Sequence, residues 1–178
     1  SNEKTAIPEL LSTLALEGCI VTLDAMGTQA NIAQCIRERG GDYVLAVKDN
    51  QPTLADSIRD FHAAFKTAPT PTPHTMVETV EKDHGRSEIR RCFAFDQLDC
   101  LAHPEQWPGL QSFAVIESER CINGKTSFEQ RLYISSLSAD AKRLAQAVRS
   151  HWAVENQLHW CMDVAFADDQ MRARTGHA

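Results

Sequence analysis

Apolar and polar positions follow two periods along the chain, and the change between them divides it. Ile7, Leu10, Leu11, Leu14 and Leu16 recur at helical spacing and predict a short amphipathic helix over 6–16, with Pro8 in its first turn. "CIVTLDA" (19–25) and "DYVLAVKD" (42–49) are unbroken, β-branched-rich runs of the kind that form buried strands. Between them "TQANIAQCIRERGG" places Ile32, Ala33, Cys35 and Ile36 on a helical stripe, and Gly40-Gly41 stop it. Strand, helix, strand predicts two parallel neighbours joined by a right-handed crossover. A further helix, "TLADSIRDFHAAF", starts at Thr53 just after Pro52.

The Pro/Thr-rich stretch "KTAPTPTPHT" (66–75) has little helix or strand potential and reads as a linker. Beyond it the period becomes two. "TMVETVEKD" and "RSEIRRCFAF" flank His84-Gly85, and "SFAVIESERCI" and "TSFEQRLYISSL" flank Asn123-Gly124, a type I′ turn signal. Residues 75–137 are therefore expected to form an antiparallel β unit. Helical spacing returns after Ser138, read as an N-cap. There Leu144, Val148, Trp152, Glu155 and His159 form one stripe, which puts Glu155 on the inward face. On the same logic Trp152 and Trp160 are core residues and His159 is a packed histidine.

Composition narrows the class. With 178 residues, 43% hydrophobic and 24% charged, the chain suits one soluble globular domain, or one domain carrying an insertion. No apolar stretch is long enough to span a membrane, and the expected location is cytoplasmic. The six cysteines include no C-x-x-C pair and several lie in apolar runs, so reduced thiols are expected rather than a disulfide framework or a zinc site. A net charge of −6 gives no global basic field for nucleic acid. The opening "SNEKTAIPELL" and closing "RARTGHA" read as the ends of a piece of a longer protein.

The chemistry centres on two carboxylates. Asp24 ends an apolar strand, where parallel sheets place their ligands, although an ordinary strand-end Asp reads the same way. Glu155 on an inward helix face needs a partner, either an arginine (Arg149, Arg172 or Arg174) or a cation. Together the two could hold a divalent metal through hard oxygen ligands, in the manner of two-metal phosphoryl-transfer sites that normally use a third carboxylate. The i, i+4, i+8 spacing of His151, Glu155 and His159 matches no zinc-protease pattern. Asp163 fits either a supporting role or a salt bridge. Lys48, Asn50 and Gln51 follow a strand and fit either a phosphate contact or a plain exit loop. Arg86, Arg90 and Arg91 form a basic strand diluted by Asp83 and Glu88.

"GCIVTLDAMGTQANIAQCIRERGGDYVLAVKDNQ", "DHGRSEIRR" and "RSHWAVENQLHWCMDVAFADDQMRAR", in that order, resemble the DDE transposases of bacterial insertion sequences, the H-repeat-associated type in particular. The resemblance covers nearly the whole chain. It implies a partial α/β ribonuclease-H-like catalytic core over 1–66 and 138–178, with a β-rich insertion over 67–137 and the N-terminal strands missing. Asp24 would be the second Asp of the triad and Glu155 its Glu, their carboxylates within about 4–8 Å and ligating Mg²⁺, or Mn²⁺ in its place. The first Asp belongs on an earlier strand in a "DGK"-like motif, which no residue before Asp24 supplies. The family's Tyr, Arg and Lys around the catalytic Glu are replaced here by Val148, His151 and Met162, so Arg149 or His151 would face phosphate instead. Lys48, Asn50, Gln51 and Arg86 complete the implied DNA contacts. The implied partners are transposon-end and target DNA and further copies of the chain, with no membrane. Two other readings fit the same residues: an inactive or domesticated relative that acts as a DNA- or protein-binding module, and a different metal-dependent hydrolase.

Overall fold

A computed structural model describes the backbone of residues 3–166 and the side chains of residues 6–153. In chain order the elements are α1 (Glu3–Thr13), β1 (Ile20–Leu23), α2 (Ala30–Glu38), β2 (Asp42–Val47), α3 (Pro52–Thr67), β3 (Thr75–Asp83), β4 (Arg86–Phe95), β5 (Ser112–Ile122), β6 (Lys125–Ser135) and α4 (Ala141–Phe166). The six strands form one sheet in the order β1-β2-β6-β5-β4-β3. β1 and β2 are parallel, in register from Ile20 with Asp42 to Leu23 with Leu45. Every other pair is antiparallel. The chain is thus mixed α/β.

The helical and strand periods map onto helices on both faces of a single sheet. β2 reads as a continuous apolar run because helices cover both its faces. Tyr43, Leu45 and Val47 join Phe95, Phe113, Val115, Leu132 and Ile134 on the face that packs Ile32, Ile36, Leu54 and Ile58 of α2 and α3. Val44 turns the other way, where Cys92, Ala94, Ala114, Ile116 and Tyr133 meet Ala141, Leu144 and Val148 of α4. The antiparallel unit is as expected, with two-residue turns at His84-Gly85 and Asn123-Gly124. Asn123 (φ 49°) and Gly124 (φ 78°) are both left-handed, as a type I′ turn requires. This unit is welded to the parallel pair, because β6 bonds directly to β2 from Val44 with Ser135 to Val47 with Leu132.

Three boundaries differ from the sequence reading. α1 begins at Glu3 and carries Pro8 in its interior. α3 runs through Thr67, so the linker is shorter at its start. The cap of α4 is Asp140, not Ser138: Asp140 Oδ1 accepts from the Arg143 amide at 3.1 Å, and the Asp140 carbonyl accepts from Leu144 at 3.0 Å. Thr75 at the start of β3 completes this end. Its Oγ1 accepts from the Ala141 amide at 2.8 Å and donates to the Ala139 carbonyl at 2.7 Å.

Candidate active site at the end of the parallel strands

β1 stops at Leu23 because Asp24 caps a 3₁₀ turn over Ala25–Gly27. Its Oδ1 accepts from the amides of Met26 at 3.1 Å and Gly27 at 3.2 Å. Both bonds use the same oxygen, which leaves Oδ2 for another partner. Thr28, fully buried, ties the turn to its neighbour strand by donating to the Ala46 carbonyl at 2.5 Å. Asn50 reaches back from the β2–α3 loop to the carbonyls of Ala25 and Thr28, and Gln51 donates to Thr28 O at 3.1 Å. These two carboxamides brace the loop that carries Asp24. With Met26, Gln29 and Asn31 they also line an open pocket of about 430 Å³.

A second cavity, about 320 Å³, opens at Asp24 between the ends of β1 and β2, the middle of β6 and the helix α4. Its lining includes Thr22, Asp24, Lys48, Arg59, Arg131, Tyr133, His151 and Trp152. The crevice therefore gathers three strong cations around one carboxylate, in a chain whose net charge is −6. Arg59 pairs with Asp56 at 3.0 Å and Arg131 with Glu129 at 2.8 Å; the former pair is exposed and weakly held. From α4, His151 Nδ1 lies 3.0 Å from Thr22 Oγ1. The Arg131 guanidinium sits 4.2 Å from the centre of the Trp152 ring, a cation–π contact.

Trp152 is not the core residue expected. It is 40% exposed, whereas Leu144 and Val148 on the same stripe are buried. The stripe leaves the sheet's apolar patch after Val148, where Arg131 and Tyr133 border the crevice. Burial raises the Tyr133 phenol pKa, against the pull of the Arg131 charge and of hydrogen bonding with Trp152.

Of the residues singled out from sequence, Asp24, Lys48 and His151 meet at this crevice, and Asn50 and Gln51 line the adjoining pocket. Arg149 pairs with Glu81 of β3 at 2.5 Å. Arg86 sits at the far hairpin and pairs with Glu88 at 3.0 Å; the buried Glu88 also binds Arg90 and Arg120. Arg91 pairs with Glu78 at 2.6 Å. The Glu155 side chain, and with it the expected convergence of Asp24 and Glu155, lies outside the described residues, as do the side chains of His159, Trp160 and Asp163. Sequence reasoning missed Thr22, Arg59 and Arg131. The one available signal was β6 alternation, which sets Arg131 on the same face as the buried Tyr133.

A divalent metal suits the oxygen donor at Asp24, whose Oδ2 is a hard ligand at the open end of the crevice. Among the described residues, no cluster of three or more His, Cys, Asp or Glu side chains could hold a metal. A metal at Asp24 therefore needs donors beyond them. No described helix is long and apolar enough to cross a membrane.

Comparison with known proteins agrees with the resemblance. A family model described as Transposase DDE domain matches residues 1–178. "H repeat-associated putative transposase YhhI" of Escherichia coli K12 is 42% identical across the whole chain, which covers 48% of that protein. "Putative transposase YncI" of Escherichia coli O157:H7 is 39% identical across the whole chain, covering 46% of it. An "Uncharacterized protein in dhlA 3'region" of Xanthobacter autotrophicus is 46% identical over 79% of the chain and 46% of its own length. The chain spans about half the length of these relatives. No solved structure matches it. An acidic chain with a strand-end Asp in a cation-lined crevice belongs, by sequence, to the DDE transposase family.

Proposed function

We propose that the parent protein is a metal-dependent DNA transposase that cuts at insertion-sequence ends and joins them to target DNA. In this reading Asp24 and Glu155 are two of its three catalytic carboxylates. The observation that carries it is the place of Asp24: at the end of a parallel strand pair, beside α4, in a crevice where Lys48, Arg59 and Arg131 favour a polyanion. Residues 1–66 and 138–178 form part of a ribonuclease-H-like core and 67–137 its insertion. The first Asp would come from a strand on the outer edge of β1, which has no partner among the described residues.

Each residue then has a defined task. Asp24 presents Oδ2 to the cation while Oδ1 holds the turn. Lys48 and Arg59 grip the phosphates flanking the scissile bond. Arg86 and Arg149, 50% and 63% exposed despite their ion pairs, stay open to outer phosphates. Asn50 and Gln51 act through the loop they brace. Bound Mg²⁺, or Mn²⁺, supplies charge stabilisation to the oxygens that enter and leave in line. In the parent protein, Asp24→Asn and Glu155→Gln should each abolish cleavage of an end-bearing duplex with Mg²⁺ while leaving DNA binding in place. Cleavage that survives both substitutions would refute the assignment.

A further inference from the structure

We infer that the α4-side face of the two hairpins is a track for the DNA backbone. On it Arg86, Arg90, Arg120 and Arg149 are held ready by Glu81 and Glu88. This rests on the DNA reading proposed above and extends it. Arg90 and Arg120 become phosphate contacts, and Glu88 becomes a positioning residue.

The face follows from the strand register. Glu88 stands opposite Glu81 of β3 on one side and Arg120 of β5 on the other. Arg86 and Arg90 flank it on the same face of its own strand. α4 packs on this side of the sheet as far as Cys92 and Ile116, and beyond them charged side chains take over. Two carboxylates directly opposite each other repel, and four guanidinia hold them together. Arg86, Arg90 and Arg120 each bring Nη2 to 3.0 Å from Glu88. Arg149 reaches Glu81 from α4 at 2.5 Å, and Arg90 does so at 3.6 Å. Glu88 lies underneath. Its side chain is 3% exposed, whereas those of its three arginines are exposed by between 35% and 50%. Solvent therefore meets the cations.

Four guanidinia over two carboxylates leave this face positive, on a chain whose net charge is −6. Lys125 and Arg131 on the same face are offset by Asp83 and Glu129. On the strands of the opposite face Glu78, Glu117 and Glu119 outnumber Lys82 and Arg91, and the exposed Val80 and Phe128 interrupt them. A polyanion is drawn to the first face and not the second. A guanidinium has five N–H donors, and Arg86 and Arg120 each commit one nitrogen to Glu88, so donors remain for phosphate oxygens. These side chains are ordered before DNA arrives, so contact does not cost that ordering again. From Arg86 to Cys92, the position level with Arg131, β4 advances roughly 20 Å, room for about six phosphates of one DNA strand. Arg131 also lines the crevice at Asp24, so the track leads into the proposed site.

The test is the salt dependence of duplex binding by the parent protein, followed by fluorescence anisotropy of a labelled, end-bearing duplex. Arg90→Gln and Arg120→Gln should each lower the slope of log affinity against log salt by about 1, the loss of one phosphate contact. Arg91→Gln and Lys82→Gln remove the same charge from the opposite face and should leave the slope unchanged. Glu88→Gln makes the chain less acidic, yet it should also lower the slope, because its arginines lose their anchor. The slope counts contacts in the folded molecule and does not move with stability alone. Equal losses from both faces, or a full slope in Arg90→Gln and Arg120→Gln, would overturn the track and leave the Asp24 crevice standing. A steeper slope in Glu88→Gln would overturn its positioning role. A wild-type protein that does not bind the duplex would bring down the DNA reading, and the inference with it. Circular dichroism establishes folding for each variant. If the variants do not fold, phenylglyoxal modification of the wild-type protein decides the case. The duplex should protect Arg90 and Arg120 and leave Arg91 reactive. Protection that follows protein concentration without DNA would assign the face to a second copy of the chain and overturn the track.

Discussion

Asp24 serves the fold with one oxygen and, on the proposed reading, would serve chemistry with the other, so the two roles separate by substitution. Asp24→Asn keeps an acceptor for the Met26 and Gly27 amides and should unfold near the wild-type temperature; Asp24→Ala loses the cap and should be about 1 kcal/mol less stable. Both should lose Mn²⁺ binding. A second residue-scale prediction concerns acid. His62 is buried among Phe65, Phe93 and Phe95, with Nε2 3.0 Å from Glu117 and no partner at Nδ1. Burial lowers its pKa against the opposing pull of Glu117. A lowered pKa means stability complete above the unfolded value, about 6.5, and lost as pH falls through it. Burial raises the carboxyls of Glu88 and Glu117, but Arg120, Arg90 and Arg86 together lower the first further, and Lys66 and His62 the second, so their contribution is lost only below about pH 4.3. Thermal unfolding followed across pH should show two acid steps, and His62→Phe should remove the upper one. Asp24 was legible because an apolar run ended on a carboxylate. The Thr22–His151 bond was not, because 129 positions separate its partners and neither residue breaks its local pattern.

Among the elements, those with a clean period were legible and those shaped by distant contacts were not. The β5–β6 hairpin was readable because Asn123-Gly124 is demanded by backbone geometry alone. A Cβ on Gly124 would meet nothing within 4 Å, so Gly124→Ala should cost only the left-handed strain, about 1–2 kcal/mol in chemical denaturation, with Asn123→Gly near neutral. The start of α4 was misplaced because Ser138 and Asp140 are equally good caps in isolation. Thr75, brought in by β3, binds Ala139 and Ala141 and selects Asp140. Asp140→Ala should therefore destabilise by about 1 kcal/mol and Ser138→Ala by almost nothing. The exposure of Trp152 escaped helical periodicity for a similar reason. A helix stripe says which residues share a face, and only the sheet beneath says how far that face stays apolar.

At the scale of the molecule, the two outer margins of the sheet among the described residues are unlike. β3 borders solvent with Glu78, Glu81, Lys82 and Asp83, charges that discourage further strand pairing, whereas β1 offers Ile20, Val21, Thr22 and Leu23 with none. The 178-residue chain should self-associate with rising concentration in sedimentation velocity, and Ile20→Lys should shift it towards monomer. The parallel pair and the antiparallel unit were each legible, but their junction was not, because β2–β6 pairing leaves no local trace in either segment. That junction has a mechanical consequence. β6 continues about seven residues past its last bond to β2, an arm of roughly 24 Å, and Arg149 clasps α4 to the same platform through Glu81. On the proposed reading, DNA held at the far hairpins would exert torque on a stiff lever whose fulcrum is the Asp24 crevice, so that a load at a distance would be felt by the helix beside Asp24.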